Sequence, residues 1–404
     1  MKLLGVVAEY NPFHNGHAYL LKEARARSGA DCVVVAMSGD FTQRGEPAIL
    51  DKWTRADMAL HNGADIVVEI PTVYVISDAG QYGRAGVELL KAIGCDSIAF
   101  GSECGDIDAL KRVANNLTIH EQELDELIAG GRNKGLSYPA AREEAYSMLF
   151  STSDSLEDDL AVLSSPNDIL ALEYIKAAGD MEIYAVRRKG AGYQSEISGE
   201  SRFQSATGIR SAIARGDSVD AYIPSFCMTA IASIDERTIN RRKEAFFQLI
   251  KYSLLKDAPQ LIEDCPSGGE GLANRLKSAV LSADNAEELI EFAKSKRYTY
   301  TRISRLLAQI VLGIRRSDAA SHPGYARLLG FNVTGRKALA DLKKREGNTV
   351  PVITNINKET EEFDSSLKRM IELDGLAVDV YNLIDGKSLY SNSDRVQRPI
   401  IIQK

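Results

Sequence analysis

The sequence lacks the features that mark membrane-spanning, secreted and disulfide-bonded proteins. Its 404 residues include five cysteines, and none of them forms a C-x-x-C pair, so neither a zinc site nor a disulfide framework is indicated. The longest apolar run, at residues 306–314, is interrupted by Gln309 and falls well short of the ~20 residues of a membrane span. The apolar start is too short for a signal peptide and has no cleavage region. These absences predict a soluble cytoplasmic protein with reduced thiols.

Basic residues are outnumbered by acidic ones overall but are concentrated in one segment. The formal net charge is −7, which argues weakly against nucleic acid as a partner. Residues 294–345, however, carry 13 Lys and Arg against only Asp318 and Asp341, a local net charge of +11. The rest of the chain holds 36 basic and 54 acidic residues. This uneven distribution indicates a polyanionic partner for the basic segment.

The most informative stretch is at the beginning of the chain. Residues 3–8 predict a buried strand and residues 18–25 a helix, joined by the loop Glu9-Tyr10-Asn11-Pro12-Phe13-His14-Asn15-Gly16-His17. Loop amides and a helix N-terminus that meet at one spot suit an anion. His14 and His17 share a face of a first helical turn, but a metal would need a third ligand. Phosphate binding therefore explains more of the loop than metal binding or a plain exposed helix start.

Short apolar strands alternate with helices along the first half of the chain. Further strand signals occur at residues 31–37, 65–70, 96–100 and 181–186. The alternation predicts an α/β fold with a parallel sheet covered on both faces. Ligands of such sheets bind beyond the carboxyl ends of the strands, where the loops at residues 9–17, 38–47 and 101–105 are expected.

The pattern changes to long helical segments from about residue 217. We therefore predict a first domain at residues 1–216, with a helical insertion at about residues 106–163, and a mainly helical region at residues 217–404. Residues 377–381 fit either a helix or a strand.

A second candidate phosphate site begins at Ser205. Ser205 and Thr207 precede a predicted helix whose first turn carries Arg210. Hydroxyls and N-terminal amides can hold a phosphate, and arginine adds a charged fork. A plain Ser/Thr helix cap is the alternative, but the two motifs together favour phosphate binding.

The start of the basic segment interleaves cations with tyrosines. The residues that predict RNA binding here are Lys294, Lys296, Arg297, Tyr298, Arg302 and Arg305. Cations neutralise phosphates, and aromatic faces stack on unpaired bases. The alternative is a solvated helix face with tyrosines in the core.

These motifs resemble those of a known family. The string His14-Asn15-Gly16-His17 resembles the His-x-Gly-His signature of the nucleotidyltransferase superfamily, and the Ser205–Arg210 element resembles its second signature. The whole loop at residues 9–17 is similar to that of the bacterial tRNA(Met) cytidine acetate ligases. The similarity extends to Gly101-Ser102-Glu103, Ser165-Pro166-Asn167, Arg188 and the stretch at residues 296–303. The family usually has a histidine where this chain has Gln194, so any role of that histidine in the family does not carry over to this chain.

The resemblance implies an ATP-dependent ligase with a Rossmann-like nucleotidyltransferase domain and a tRNA-binding C-terminal region. In the implied reaction, acetate and ATP form acetyl-AMP and pyrophosphate, and N4 of the wobble cytidine of elongator tRNA(Met) then takes the acetyl group. His14 and His17 would be the catalytic residues that stabilise pyrophosphate. The implied ATP-binding residues are Val7, Ala8, Glu9, Tyr10, Asn11, Pro12, Phe13, His14, Asn15, Gly16, His17, Ala18, Tyr19, Leu20, Gly101, Asn167, Arg188, Ser205, Thr207 and Arg210. Mg²⁺ would accompany ATP, and Asp40 and Glu103 are candidate ligands by loop position only. No protein partner is indicated.

Two other functions stay open. A small-molecule nucleotidyltransferase that makes a dinucleotide or CDP-type product would not need the basic segment and would not depend on acetate. A non-catalytic RNA-binding protein that retains nucleotide binding would bind ATP without releasing pyrophosphate.

Overall fold

The structure is a computed structural model that describes residues 1–189, 202–319, 322–344, 350–390 and 392–403. Gln194, the departure from the family pattern, lies outside this range, as does Arg345 of the basic segment. The described strands are β1 Leu3–Ala8, β2 Cys32–Ser38, β3 Ile66–Ile70, β4 Ser97–Ser102, β5 Glu182–Arg187, β6 Ala326–Phe331, β7 Val352–Ile353 and β8 Ile400–Ile401.

The first half of the described chain contains the α-helices α1 Asn15–Ser28, α2 Lys52–His61, α3 Thr72–Val75, α4 Ala79–Ala92, α5 Ile107–Ile119, α6 Glu121–Asn133, α7 Tyr138–Leu149, α8 Leu156–Ser164, α9 Pro166–Ala178 and α10 Ala206–Arg215. The second half contains α11 Met228–Ala232, α12 Glu236–Lys256, α13 Pro259–Glu263, α14 Leu272–Ala279, α15 Ala286–Ala293, α16 Tyr300–Leu312, α17 Val333–Leu342, α18 Ile356–Glu359 and α19 Ser365–Asp385. Short 3₁₀ turns lie at Asp220–Tyr222, Ser225–Cys227 and Arg316–Ala319. Among the described helices, none combines the length and the apolarity that a membrane crossing requires.

The first five strands form a parallel sheet with β1 at its centre. The strand order is β5-β4-β1-β2-β3, so the chain runs outward from β1 in one direction through β2 and β3 and then in the other through β4 and β5. All residues of β2 and β3 are buried, as expected for strands covered on both faces. The predicted α/β fold with a parallel sheet is confirmed, and the reversal of strand order beside β1 marks the usual place for a ligand.

The sheet continues beyond β3 with a strand that the sequence did not reveal. β6 pairs with β3 in the antiparallel direction, with Glu69 opposite Arg327, and β7 and β8 both pair with β6. The sheet therefore crosses the boundary that we predicted near residue 216, and the C-terminal region contributes strands as well as helices. Residues 377–381, whose sequence fitted either a helix or a strand, belong to α19.

Alternating side chains of the strands enter two apolar cores, one on each face of the sheet. Leu3, Val34 and Ile66 belong to one core, whereas their neighbours Leu4, Val33 and Val67 belong to the other. The period of two that a strand imposes on its side chains produces this division. The two cores hold the sheet rigidly, so the loops at its carboxyl edge have a fixed base.

Candidate functional site

The loop between β1 and α1 brings the two histidines into ring contact. His14 precedes α1, and its Nδ1 accepts a hydrogen bond from the backbone N–H of Gly16 at 3.0 Å. Nδ1 of His17 accepts from the backbone N–H of His14 at 3.3 Å, and the two rings stack with centroids 3.7 Å apart. Because both Nδ1 atoms are acceptors, the proton of each neutral ring is assigned to Nε2. Each histidine can then donate one Nε2–H bond to an anion.

Burial keeps both imidazoles neutral. Burial first, and then the charges of Arg188 and Arg210, lower the pKa of His14 to about 3. The pKa of His17 is lowered well below its usual value by burial first, and then by His14 and Arg188. At neutral pH the two rings are therefore hydrogen-bond donors without charge, and the positive charge of the site comes from the two arginines.

Hydrogen bonds from the region after β2 hold this loop in place. Asn11 Oδ1 accepts from the backbone N–H of Ile49 at 2.7 Å, and Glu9 Oε1 accepts from that of Gln43 at 2.7 Å. The buried guanidinium of Arg55, on α2, donates to the Glu9 carbonyl at 2.6 Å. The role of Arg55 was missed in the sequence, because nothing in its local pattern indicates a contact 46 residues away.

The second motif meets the first directly. Ser205 precedes α10, and its Oγ accepts from the Gly208 N–H at 3.1 Å. The Arg210 guanidinium donates to the Asn11 carbonyl at 2.7 Å and reaches Thr207 Oγ1 at 3.4 Å. The structure thus brings the two predicted phosphate-binding motifs together, although 199 residues separate Asn11 from Arg210.

The predicted residues near β4 and β5 gather around Glu103. Gly101 lies in β4, and Arg188 directly follows β5, with its Nε 4.0 Å from Glu103 Oε1. Asn167, in the first turn of α9, donates to the same carboxylate. The buried Asp168 accepts the backbone N–H of Glu103 at 3.0 Å and fixes this loop. The sequence did not distinguish Asp168 from other helix-start acids.

The other predicted ATP-binding residues follow the path of β1, the loop and α1. Tyr10 and Phe13 are fully buried, and the Tyr10 ring lies 4.8 Å from that of His17. The Phe13 ring lies 5.5 Å from the same imidazole, so two buried aromatic rings pack against His17. The more accessible positions are Val7, Ala8, Asn15, Gly16, Ala18, Tyr19 and Leu20, whereas Pro12 is buried.

The two candidate Mg²⁺ ligands both accept hydrogen bonds from the protein. Asp40 is buried, its Oδ1 accepts the Lys52 N–H at 2.6 Å, and burial raises its pKa to about 6. Glu103 accepts from Asn167 and from the Asp168 N–H. Within the described ranges, no group of three or more His, Cys, Asp or Glu side chains could hold a metal ion by itself.

The six residues predicted to bind RNA divide into two sets. Lys294, Lys296 and Arg297 are exposed, although Lys294 pairs with Glu291 at 3.1 Å. The other three take part in packing. Arg302 donates to the carbonyls of Ser267 and Gly268. Arg305 is only partly exposed. The Tyr298 hydroxyl donates to the Glu270 carbonyl at 2.6 Å.

The position of the Tyr298 ring does not suit the predicted stacking on an RNA base. Its side chain is 7% exposed, and Arg302 covers its ring at 5.4 Å. The ring is therefore part of the core and is not presented for stacking on a base.

A cavity of about 330 Å³ opens beside Asn11 and Arg210. Its other walls are the loop after β2, α10, α12, α15 and α16, with lining residues that include Glu46, Ile49, Thr207, Ala214, Phe246, Ile250, Ile290, Tyr300 and Leu307. Gly45 has a φ of +79°, and a Cβ there would lie 2.6 Å from the Arg305 Cα, so only glycine lets this loop pass against α16. Arg242 of α12, which also lines the cavity, donates to the Ile49 carbonyl at 2.6 Å.

Comparison with known proteins agrees over the full length of the chain. The family model described as HIGH Nucleotidyl Transferase matches residues 1–395. Proteins named tRNA(Met) cytidine acetate ligase from Acetivibrio thermocellus and Clostridium novyi are 37% and 35% identical, over 94% and 100% of both chains, respectively. Crystal structures of Thermotoga maritima TmcAL, apo and bound with alpha-thio ATP, share 32% identity and superpose over 100% of both chains with TM-scores of 0.89 and 0.86. The chain belongs to the tRNA(Met) cytidine acetate ligase family of HIGH nucleotidyl transferases.

Proposed function

We propose that this protein is an ATP-dependent ligase that activates acetate as acetyl-AMP and acetylates N4 of the wobble cytidine of elongator tRNA(Met). The observation that carries the proposal is the contact between the two phosphate motifs. Arg210 donates to the Asn11 carbonyl beside the stacked His14 and His17, in a chain whose full length matches ligases of this name. The proposal places the protein in the cytoplasm together with its tRNA.

In the first step, an oxygen of acetate attacks the α-phosphorus of ATP, and the bond to the β-phosphate breaks. Such a transfer depends on positioning and on neutralising the charge that develops on the phosphates. The Nε2–H groups of His14 and His17 donate to the departing pyrophosphate, and Arg210 neutralises part of its charge. Gly101, Asn167 and Arg188 hold the nucleotide at the ends of β4 and β5.

Mg²⁺ would arrive with ATP in this proposal and would supply charge neutralisation at its phosphates. This ion keeps several waters and is usually bound by one or two carboxylates together with the phosphates of the substrate. The donor set fits an ion that arrives with the nucleotide, because Asp40 and Glu103 are isolated carboxylates that already accept hydrogen bonds.

In the second step, the N4 amine of the cytidine attacks the acetyl carbonyl, and AMP leaves. The base has to leave its stack in the anticodon loop to reach the site, at a cost of a few kcal/mol that is lower for a single-stranded base. The exposed cations Lys294, Lys296 and Arg297 contact the tRNA backbone and supply sequence-independent affinity.

The test is to incubate the protein with ATP and acetate, with and without a tRNA(Met) transcript. We expect acetate-dependent exchange of pyrophosphate into ATP without tRNA, and N4-acetylcytidine by mass spectrometry with it. Pyrophosphate release that does not depend on acetate would favour a small-molecule nucleotidyltransferase. ATP binding without pyrophosphate release would favour a non-catalytic RNA-binding protein.

A further inference from the structure

The sheet divides the site into two halves. Gly101 and Arg188, at the ends of β4 and β5, lie on one side of β1, and the loop after β2 lies on the other. His14 and Arg210 mark the reacting centre between the halves. If the nucleotide occupies the β4–β5 half, the half beyond β2 is left for the second substrate.

The cavity lies in that second half and reaches the reacting centre. Asn11, Thr207 and Arg210 belong both to its lining and to the phosphate motifs. Its volume of about 330 Å³ far exceeds the needs of an acetate ion, and its walls combine apolar and aromatic side chains with polar and charged groups. A second carboxylate in the wall, Glu287, is already paired with Lys243 at 2.7 Å. Apolar walls that hold the two faces of a ring, with polar groups at its edge, are the usual design of a pocket for a flipped base.

We propose that this cavity receives the base of the acceptor cytidine, and that the Glu46 carboxylate accepts a hydrogen bond from the N4 amine and takes its proton during acetyl transfer. The inference rests on the proposed function, because it names the acceptor subsite of the same reaction.

Glu46 has the position and the freedom for this role. It is partly exposed in the cavity wall, and its negative charge acts on Arg210 and Tyr300, which line the same cavity. In the part of the chain that the structure describes, its carboxylate makes no hydrogen bond or ion pair, whereas its backbone carbonyl is fixed by the Thr42 N–H at 2.9 Å. A carboxylate is the side-chain group that pairs with the N4 amine of cytosine.

Tyr300 supplies a donor for the other side of the cytosine edge. Burial, together with Glu46 and two further acids, raises the pKa of Tyr300 to about 12, so its hydroxyl keeps its proton at neutral pH. It can donate to the O2 or N3 acceptor of cytosine. Uracil carries an oxygen in place of the N4 amine, and that oxygen would face the Glu46 carboxylate without a proton between them, so the pocket selects cytidine.

The transfer step balances with Glu46 as the base. The N4 nitrogen attacks the acetyl carbonyl carbon, the new C–N bond forms, and the bond between that carbon and the AMP phosphate oxygen breaks. AMP leaves with the bonding electrons, and the N4 proton passes to Glu46 and then to water. A base is needed because the N4 lone pair is delocalised into the ring and is weakly nucleophilic.

The exposed cations Lys296 and Arg297 are close in sequence to a residue that lines the cavity. Tyr300 is the first residue of α16 and comes three positions after Arg297. A tRNA backbone held at Lys296 and Arg297 would therefore have a neighbouring nucleotide close to the cavity.

The test compares Glu46→Gln with Glu244→Gln, a matched change at an exposed carboxylate of α12 that does not line the cavity. We expect Glu46→Gln to slow acetyl transfer from enzyme-bound acetyl-AMP to tRNA by about 10²-fold or more, the usual contribution of a general base. Acetate-dependent pyrophosphate exchange and tRNA affinity should be unchanged, and Glu244→Gln should transfer at the wild-type rate. A tRNA(Met) transcript with uridine at the wobble position should inhibit acetylation of the normal transcript no more strongly than an unrelated tRNA does.

Two outcomes would overturn the role of Glu46: normal transfer by the variant, or loss of exchange together with transfer. Ala214→Leu tests the cavity itself, because it fills part of the space from a half-buried position on α10. We expect it to impair transfer and to spare exchange, and normal transfer by this variant would place the base elsewhere. If the wild-type protein shows no acetate-dependent exchange, the proposed function fails instead, which is a separate result.

Discussion

His14 and His17 can stack closely only because at most one of them is charged. Two imidazolium rings 3.7 Å apart would repel each other in a buried site that already contains Arg188 and Arg210 nearby. The site therefore separates two tasks that a single cationic residue could combine. In the proposed reaction, the arginines would neutralise the phosphates, and the neutral rings would supply directed donors for the oxygens on which charge develops.

Replacing His17 tests the donor role. We expect His17→Ala to reduce acetate-dependent pyrophosphate exchange by ~10²-fold or more, the effect of losing one transition-state donor. His61→Ala is the control, because His61 is also stacked on an aromatic ring, that of Phe226, but lies outside the site. Normal exchange by His17→Ala would contradict the assignment of this motif.

The low pKa of His14 predicts a loss of stability in acid. An unfolded histidine titrates near 6.5, and folded His14 only near about 3, so between these values the unfolded state binds more protons and its population increases. His14→Asn removes the titration but keeps a side-chain acceptor for the Gly16 N–H. Between about pH 7.5 and about pH 5, wild type should lose about 2 kcal/mol more free energy of unfolding than the variant. Urea unfolding at both values measures this, and equal losses would mean that His14 is not buried and neutral.

At the scale of elements, the sequence predicts local units well and their contacts poorly. The β1–loop–α1 unit was predictable because an apolar run, a proline turn and a helix follow one another within 25 residues. The contacts of Arg210 with Asn11 and of Arg55 with Glu9 depend on how distant elements pack, and no local pattern encodes them. Arg302 shows the same limit, because its basic neighbours predict RNA contact but do not reveal that its guanidinium donates to the carbonyls of Ser267 and Gly268.

A buried ion cluster joins α2 and β3 to the C-terminal segment. The Lys52 ammonium contacts Glu69 at 2.7 Å and Asp394 at 2.6 Å, and all three side chains are almost fully buried. Lys52→Met should cost roughly 3–5 kcal/mol in free energy of unfolding, because two buried carboxylates lose their cation. Asp394→Asn should cost less, since the pair of Lys52 with Glu69 persists.

Lys387→Met is the control for this cluster. Lys387 pairs with Asp385 at 2.9 Å and with Asp51 at 3.3 Å but is exposed, and each such pair contributes at most about 1 kcal/mol. Urea unfolding of the variants gives the comparison. If Lys52→Met were no less stable than Lys387→Met, the cluster would not be what fastens the C-terminal segment.

At the scale of the whole molecule, the C-terminal region extends the sheet and closes the cavity beside Asn11 and Arg210. β6 extends the sheet on the side of β3, and α12, α15 and α16 close the cavity that begins at the loop after β2. Neither feature was predictable, because β6 is a short apolar segment between helices and the cavity is formed by residues more than 200 positions apart. The basic composition of residues 294–345 predicts a polyanionic partner, and the structure distinguishes the exposed cations of this segment from its packed ones.

The exposed cations Lys296 and Arg297 are expected to contribute to the affinity for a whole tRNA. Replacing Lys296 and Arg297 by alanine should weaken tRNA binding and reduce the slope of log affinity against log salt by up to about 2, since each lost phosphate contact removes a little less than one unit. Acetyl-AMP formation should be unchanged, because neither side chain lines the cavity or the nucleotide loops. A double alanine variant of the exposed Lys111 and Lys134, between β4 and β5, controls for the loss of net charge. If both double variants shifted the slope equally, the tRNA would be responding to overall charge, and the assignment of its binding surface to the start of the basic segment would be wrong.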